Sequence, residues 1–522
     1  MPDLKSLWQH WHFGLCLSLA IVVYQITTAL IFITLTPNGY SWNGANITNS
    51  SDTAVYLSYL TQGKDRIILT NFYNNFPQTP RFDPFWSLFG QLAKIGLSPI
   101  LIYEILRYLA GFLFGFTIYA TAKSIINDKK RARFISLLTL SGLTMGWIFY
   151  CIALFFKINL PNSPADLVTE FSLIQMINAA PHILFSFCLM LMAVRLVYQS
   201  FLQNKPLLFA GFLILIQTSF HPYFIPFYGI LSILLTVAAY KKLRLQAIKK
   251  LLTINIFLIP SAIYYIFLIF KDNRLRSHHL VNNQLPLDPW YFWPLILLPV
   301  LFATIWLIKN KNHNNLNIQW SYFWIASAII CMILPFPWTR KYTQGLSQIF
   351  VLATLPFWLM FYEKFIKQNS KLFIGALIFI IFTPYLFILN SQIQTAINSN
   401  GQYLFYFPDK LIRAWQSIPK DPDNLIITTN IRINLWTPRY ANNKVYIGHA
   451  HETPDFSARQ AEFDSWRQTD SSVQFNQFLD NNQITHLITL NPADTETRGS
   501  LLSDNWLQTF YQDGISIWQR QN

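Results

Sequence analysis

Residues 14–36 read GLCLSLAIVVYQITTALIFITLT and contain no charged side chain. A helix needs about 20 mostly apolar residues to cross the hydrocarbon core of a bilayer, where unpaired backbone groups are costly. This stretch therefore predicts a membrane-spanning helix. Similar stretches follow at about 98–122, 134–156, 174–198, 206–220, 224–240, 251–270, 290–308, 319–335, 344–362 and 372–390. The sequence thus predicts an α-helical polytopic membrane protein with about 11 transmembrane helices.

The composition favours the same fold class. Of the 522 residues, 52% are apolar and 12% are charged, whereas soluble domains carry about 25% charged residues. The net charge is +15, and the first 390 residues hold 29 basic and 11 acidic residues, against ten and thirteen in the remainder. The basic residues form short clusters between the spans, as topology and anionic lipid require. This pattern excludes a disordered chain and does not indicate nucleic acid as a partner.

The positions of these clusters predict the topology. Loops such as 123–133 and 241–250 are short and basic, which places them and the N-terminus in the cytoplasm. We therefore expect a transmembrane domain over residues 1–390, with a long first outer loop at 37–98. Residues 391–522 are expected to form a small extracytoplasmic α/β domain. This arrangement suits a multi-pass protein of a bacterial inner or plasma membrane.

Local patterns predict elements in these outer parts. Ser51 to Leu60 has apolar and aromatic residues at helical spacing after a Ser/Asp start, which predicts an amphipathic helix at the membrane surface. The tail alternates between apolar runs of strand type and helical periodicity. The predicted strands are 425–429, 444–449, 484–490 and 514–518, and the predicted helices are 457–468 and 472–480.

Two outer acids are candidates for chemistry. Asp52 stands at the start of the loop helix, where its carboxylate can accept a proton from an acceptor hydroxyl or hold a divalent cation such as Mg²⁺ or Mn²⁺. The alternative is that Asp52 only caps the helix. Glu170 directly precedes the fourth span and is expected on the same side of the membrane, with a solvated surface charge as its alternative.

Basic and imidazole side chains also lie at the predicted outer ends of spans. Arg340 and Lys341 occupy a short outer loop, where positive charge runs against the usual bias, so a phosphate is the predicted ligand. Their alternative is snorkelling at the interface. His182 and His221 can carry a proton or bind a metal, or simply form hydrogen bonds to neighbouring helices.

The tail also contains a short motif with possible metal ligands. Gly448 to Thr453 reads GHAHET, which superficially resembles a metal-binding sequence. It lacks a third ligand at a fixed spacing. The alternative interpretation is that this segment contacts the outer face of the membrane part.

The whole arrangement resembles the GT-C class of polytopic glycosyltransferases, and more closely a group of uncharacterised bacterial membrane proteins related to it. The resemblance covers the architecture of the whole chain. The matching segments are Asp52-x-x-x-Tyr56-Leu57-Ser58, Tyr103-x-x-x-Arg107, Glu170-Phe171, Pro181-His182, His221-Pro222-Tyr223, Arg340-Lys341-x-x-x-Gly345 and Val445-Tyr446-x-Gly448-His449-x-x-Glu452-Thr453.

The resemblance implies a sugar transfer from a polyprenyl phosphate to an extracytoplasmic glycan, lipid or protein acceptor. It implies Asp52 as catalytic base or metal ligand, and Glu170 is our second predicted catalytic residue. The donor phosphate is assigned to Arg340 and Lys341. Substrate positioning is assigned to four residues: Tyr56, His182, His221 and Tyr223. The chain departs from the commonest pattern, because Ser51-Asp52-Thr53 holds one carboxylate where a pair is usual.

Two other functions fit some of these features. A transporter or flippase for a lipid-linked glycan would also need outer cations, but it would be expected to show inverted repeats, and none is visible in the sequence. A catalytically inactive relative that binds polyprenyl lipids as a scaffold is the other alternative. The single carboxylate in Ser51-Asp52-Thr53 is the feature that favours it.

Overall fold

A computed structural model describes residues 4–73, 81–144, 152, 155–157, 173–203, 205–272, 297–310, 318–336, 338–368, 371–399, 403–421 and 423–521. Helices dominate residues up to 399. Helices α1 to α15 are Leu4–Thr34, Ser50–Gln62, Pro84–Gly90, Pro99–Ile125, Lys129–Ser141, Leu173–Asn178, Pro181–Gln203, Leu208–Phe220, Ile225–Leu243, Leu245–Lys271, Leu298–Asn310, Gln319–Ile333, Leu346–Ala353, Leu355–Phe361 and Lys371–Asn398.

The tail adds five helices and most of the strands. Helices α16 to α20 are Asp409–Ser417, Ile431–Ala441, Phe456–Gln468, Ser472–Asn481 and Pro492–Leu501. Strands β1 to β7 are Tyr40–Trp42, Tyr406–Pro408, Leu425–Thr428, Lys444–Val445, His486–Thr489, Trp506–Gln512 and Ile515–Arg520.

Six helices among the described residues are long and apolar enough to cross a membrane: Trp11–Thr34, Pro99–Ile125, Pro181–Gln203, Pro222–Leu243, Leu245–Lys271 and Ile374–Asn398. A seventh candidate is a helix pair, Thr339–Ala353 and Leu355–Ile366, bent by 53°. Three shorter apolar helices, α8, α11 and α12, overlap further predicted spans. Helix α5 overlaps the start of the span predicted at 134–156, of which residues 145–151 and 153–154 lie outside the described residues. The chain is an integral membrane protein of the predicted helical fold class.

The chain divides into two compact units. One comprises residues 1–27, 106–266 and 284–391, and the other comprises 28–105, 267–283 and 392–522. The second unit thus joins the first loop to the tail. Strand β1 of the loop pairs antiparallel with β2 of the tail, and Ser41 matches Phe407 in the register. The hydroxyl of Ser41 also donates to Oδ1 of Asp409 at 2.6 Å.

The predicted loop helix exists as α2, but protein covers its apolar residues. Most of its side chains are buried, and it packs against α3 and α17. Helices α2 and α3 approach so closely that a Cβ added to Gly63 would lie 2.4 Å from the Cα of Gly90. Only glycine tolerates such a backbone contact. The apolar periodicity therefore serves this protein contact, and the predicted position at the membrane surface stays a prediction.

The tail contains a five-stranded mixed sheet in the order β4-β3-β5-β7-β6. Strand β3 is parallel to β4 and β5, whereas β7 is antiparallel to β5 and β6. Residues such as Ile427, Trp466 and Leu487 form its buried core with α18 and α19. The small α/β domain predicted at the end of the chain is confirmed as a fold.

One predicted strand is too long. The sequence predicts 444–449, but β4 ends at Val445. The chain then turns, because the backbone N–H groups of Glu452 and Thr453 donate to the carbonyl of His449 at 3.2 and 2.8 Å. Gly448 fits here because an added Cβ would lie 2.7 Å from the ring of Tyr73. The end of this edge strand therefore packs against the first loop.

Candidate active site

The first turn of α2 holds Asp52 in a defined position. Helix α2 begins at Ser50 with Asn49 as its N-cap residue, so the alternative that Asp52 caps the helix is wrong. Instead, Nδ2 of Asn49 donates to Oδ2 of Asp52 at 2.8 Å. Nε2 of His449 lies 2.8 Å from Oδ1. The Asp52 side chain is 33% exposed and His449 is 5% exposed, so a buried imidazole supports an accessible carboxylate.

The surroundings of His449 determine its tautomer. Its Nδ1 accepts the backbone N–H groups of His451 and Glu452 at 3.2 and 3.3 Å. A ring nitrogen that accepts a hydrogen bond carries no proton, so the proton of the neutral ring lies on Nε2. Nε2 therefore donates to Asp52.

The segments around this contact are fastened by hydrogen bonds within the second unit. The N–H of Val445 donates to the carbonyl of Phe72 at 2.8 Å. Nη1 of Arg459 donates to the carbonyl of Tyr446 at 2.7 Å. These bonds fix the tail segment on both sides of the turn to which His449 belongs, so the imidazole is held by backbone geometry.

Glu452, an acid of the tail, also contacts the first loop. Nδ2 of Asn71 donates to both Oε2 and the carbonyl oxygen of Glu452, at 2.7 and 2.9 Å. The hydroxyl of the buried Tyr73 donates to the carbonyl of Leu435 at 2.8 Å. Burial raises the pKa of Tyr73 well above 10.0, and the nearby groups Tyr59, Glu452 and Asp52 raise it further. Tyr73 therefore stays a neutral hydrogen-bond donor.

A third carboxylate completes the acidic surroundings. Asp83 caps α3 by accepting the N–H of Trp86 at 3.2 Å. Burial raises the pKa of the Asp83 carboxyl above 3.8, while the positive charge of Arg81 opposes this rise and Glu452 adds to it. Nη2 of Arg81 donates to the hydroxyl of Tyr59 at 2.6 Å. The Asp83 carboxyl thus lies within electrostatic reach of Arg81 and Glu452.

Tyr56, predicted to position substrate, belongs to a row of aromatic rings. Its ring stacks on Trp86 with centroids 4.5 Å apart and planes at 12°. Trp86 in turn lies parallel to Tyr103 at 6.2 Å. Tyr56 stands four residues after Asp52 on the same helix, one turn along. The structure thus places Tyr56 on the α2 face near Asp52, and its role in binding stays a prediction.

The other predicted residues gather in the first unit. The rings of His182 and His221 are 5.0 Å apart in a T-shaped arrangement. Nζ of Lys341 lies 5.8 Å from the centroid of the Tyr223 ring. Arg340 and Lys341 share the 3₁₀ helix Thr339–Thr343. Burial lowers the pKa of His221 well below 6.5, and His182 and Lys341 lower it further, so His221 is a neutral ring beside a cation.

The predicted divalent cation finds no complete ligand set within the described ranges, where no group of three or more His, Cys, Asp or Glu side chains is suitably placed. Glu170, the second predicted catalytic acid, lies outside the described residues. Both oxygens of Asp52 already accept hydrogen bonds from Asn49 and His449. The geometry around Asp52 therefore fits a proton acceptor, and the cation stays a prediction.

Sequence reasoning missed the pairing of His449 with Asp52, which are 397 residues apart. The available signal was the tail motif at 448–453, for which contact with the membrane part was one of two interpretations. The structure places that motif against the first loop, in the unit that both segments share.

Comparisons with known proteins give similarities to solved structures only. No family model and no curated protein matches the chain. The Archaeoglobus fulgidus oligosaccharyltransferase complex with Zn and sulfate is 11% identical, covers 95% of this chain and 73% of its own, and has a TM-score of 0.47. AglB from the same organism, in complex with an inhibitory peptide and a dolichol-phosphate, is 11% identical over 92% and 70%, with a TM-score of 0.48.

A bacterial structure shows a similar level of likeness. ArnT from Cupriavidus metallidurans in the apo state is 11% identical, covers 95% of this chain and 97% of its own, and has a TM-score of 0.47. Similarities at this level of identity and TM-score do not assign a substrate or a reaction to this chain.

Proposed function

We propose that this chain is a membrane glycosyltransferase that moves a sugar from a polyprenyl phosphate to a hydroxyl of an extracytoplasmic glycan, lipid or protein. The observation that carries the proposal is the accessible Asp52 carboxylate, which is oriented by His449 and Asn49. A partly exposed, hydrogen-bonded carboxylate on a fixed helix suits a general base. In this proposal the N-terminus is cytoplasmic and the residue 391–522 domain lies outside.

The proposed reaction is a single inverting displacement. The acceptor oxygen attacks the anomeric carbon, its proton passes to Asp52, and the bond from that carbon to the phosphate oxygen breaks with its electron pair leaving on the phosphate. His449 donates a hydrogen bond to Asp52 throughout, because its Nδ1 already accepts two N–H groups. It therefore orients the base.

Arg340 and Lys341 are our proposed ligands of the donor phosphate. Negative charge grows on the phosphate as it leaves, so cations that bind it stabilise the transition state more than the ground state. A guanidinium can bind two phosphate oxygens at once, whereas an ammonium acts as a point charge. The Tyr223 ring beneath Nζ of Lys341 supports that ammonium through a cation–π contact.

The lipids that co-purify with the protein test this proposal. We expect mass spectrometry of the full chain, purified with native lipids, to detect a polyprenyl phosphate or its sugar ester. The double substitution Arg340→Gln and Lys341→Gln should lower its amount about tenfold or more, because charge-assisted hydrogen bonds to phosphate are lost.

The matched control for this experiment is Lys364→Gln, which removes a cation near the end of the helix Leu355–Ile366, just after the predicted span 344–362 and on the side that the sequence predicts to be cytoplasmic. It should leave the co-purified polyprenyl lipid unchanged. Detection of ordinary phospholipids alone would contradict a polyprenyl donor. Equal loss in both variants would contradict the assigned role of Arg340 and Lys341.

Substitution of His449 tests the orienting role. His449→Leu removes the donor to Asp52 and should lower the turnover number of transfer about 10- to 100-fold, the usual cost of losing an orienting partner. His449→Gln offers an amide N–H in its place and should retain most activity. The KM for the lipid donor should stay unchanged in both variants.

His451→Gln serves as the control, since His451 supports His449 through its backbone N–H. Its transfer rate should equal that of the unsubstituted protein. Equal rates for His449→Leu and His449→Gln would contradict the orienting role.

A further inference from the structure

In the tail sheet, the connections that follow the neighbouring strands β3 and β5 lead to opposite sides of this strand pair. From β3 the chain passes through α17 to β4 on one side, and then through α18 and α19 to β5 on the other side of β3. Because β3 and β5 are parallel, their carboxyl ends lie at the same edge of the sheet. The chain leads from β3 to β4 on one side and from β5 to β6 and β7 on the other side. Open α/β sheets bind ligands in the crevice at the carboxyl ends of such a strand pair.

A cavity of about 360 Å³ lies at this edge. Thr429 and Asn430, which follow β3, line one side, and Asn491 and Asp494, which follow β5, line the other. Ligand pockets have volumes of about 300–1,000 Å³, so this one has room for a single sugar ring. It contains none of the residues that we assign to sugar transfer.

Two helices begin at the cavity. Asn430 is the N-cap of α17 and Asn491 is the N-cap of α20, and each side chain accepts a backbone N–H of its own helix. The partial positive charge at the start of these helices favours an anion. The cap side chains also bring amide groups to the wall, and amides can both donate to and accept from hydroxyls.

Two arginines give the cavity a positive balance. Arg498 is fixed, because Nη1 and Nη2 donate to the carbonyls of Thr469 and Arg467 at 3.0 and 2.6 Å. Arg467, from the last turn of α18, is exposed at the rim. A fixed guanidinium and a movable one suit recognition of a carboxylate or phosphate.

Among the described lining residues, Asp494 is the one acid, and it holds the two strand ends together. Oδ2 of Asp494 accepts from the hydroxyl of Thr429 at 2.6 Å and from the N–H of Leu490 at 3.1 Å. Its Oδ1 lies 3.8 Å from Nε of Arg498. Asp494 thus joins the two strand ends and leaves an excess of one positive charge on the wall.

We propose that this cavity binds an acidic monosaccharide unit, a sugar ring that carries a carboxylate or a phosphate. The arginines recognise the acid group, while Thr429 and the cap amides recognise ring hydroxyls. Tyr403, which also lines the cavity, offers an aromatic face for the C–H side of the ring. The domain would thereby bind an anionic glycan independently of the transfer reaction.

Binding of three probes to the purified full chain tests this inference. Calorimetry should show D-glucuronate and glucose 6-phosphate binding at least tenfold more tightly than neutral D-glucose. Arg467→Gln should weaken glucuronate binding about tenfold, because the charge-assisted hydrogen bond to the acid group is lost. The Arg467 side chain is exposed, so its replacement should leave the fold intact. Arg413→Gln, an exposed arginine of the same domain that does not line the cavity, should bind as the unsubstituted protein does.

Hydrogen exchange provides a second measurement. Glucuronate should slow exchange at residues 429–431 and 490–494 and leave other strands of the sheet unaffected. Equal binding of the charged and neutral sugars would overturn the proposal, and so would full affinity in Arg467→Gln. Failure of sugar transfer by this chain would leave all these outcomes unchanged, so the two proposals can be separated.

Discussion

Replacing Asp52 with asparagine is expected to lower sugar transfer about 10²- to 10⁴-fold, the range by which a positioned general base accelerates a reaction. The amide has nearly the shape of the carboxylate, so α2 and its packing should be retained. It cannot take up the acceptor proton. The measurement is the transfer rate of the purified variant with the lipid donor that co-purifies with the protein.

The same variant should also change which lipid is bound. Because the donor still binds but does not react, Asp52→Asn should co-purify with more intact sugar ester and less free polyprenyl phosphate. Asn49→Ala is the matched control, since it removes the donor to Oδ2 while leaving the carboxylate in place, and its rate should fall much less. A full transfer rate in Asp52→Asn would remove this carboxylate from the mechanism.

Gly63→Ala is expected to destabilise the second unit by about 1–3 kcal/mol, as overpacking usually does. The added methyl group would lie 2.4 Å from the Cα of Gly90, and backbone cannot move aside as a flexible side chain can. Helix α2 must shift, and Asp52 shifts with it. Limited proteolysis of the first loop should become faster, and sugar transfer should fall.

Gly90→Ala probes the same contact from the other helix, where an added Cβ would lie 2.9 Å from the Cα of Gly63. It should produce the same changes. Gly229→Ala is the control, because a Cβ at this helical position meets nothing within 4 Å, and alanine favours a helix over glycine. Unchanged proteolysis in both Gly63→Ala and Gly90→Ala would show that the two helices move apart without loss of stability.

The membrane spans were predictable because the cost of unpaired backbone in hydrocarbon imposes one length and one composition on each. Stretches such as 98–122 and 251–270 therefore match Pro99–Ile125 and Leu245–Lys271. The bend within the predicted span 344–362 was not foreseen, because it depends on how Thr339–Ala353 and Leu355–Ile366 pack.

Some tail elements escaped prediction although a local signal existed. Strand β6 was not predicted, whereas β7 matches the strand predicted at 514–518. The two strands are joined at Asp513 and Gly514, both with positive φ, and Asp-Gly between alternating apolar residues is a strong hairpin signal. Helix α17 contains Pro438, which normally argues against a helix interior. Here its buried residues pack on β3 and α2, and tertiary contacts outweigh propensity.

Only the part of the candidate site that is formed by residues close together in the sequence was predictable. Asp52 was recognisable as an acid at the start of a loop helix, a pattern of neighbouring residues. Its hydrogen bonds to Asn49 and His449 depend on side-chain directions and on a contact across most of the chain. Periodicity and capping rules carry no information about such a pair, so the partner of Asp52 emerged only from the fold.

The pairing of β1 with β2 has a consequence for biosynthesis. The ribosome delivers residues 40–42 long before residues 406–408, so the first loop must wait for its partner strand until most of the chain has been inserted. His449 arrives later still. A chain cut short before the tail would therefore insert its helices into the bilayer yet leave Asp52 without His449. Under the proposed function, sugar transfer would become possible only when translation nears its end.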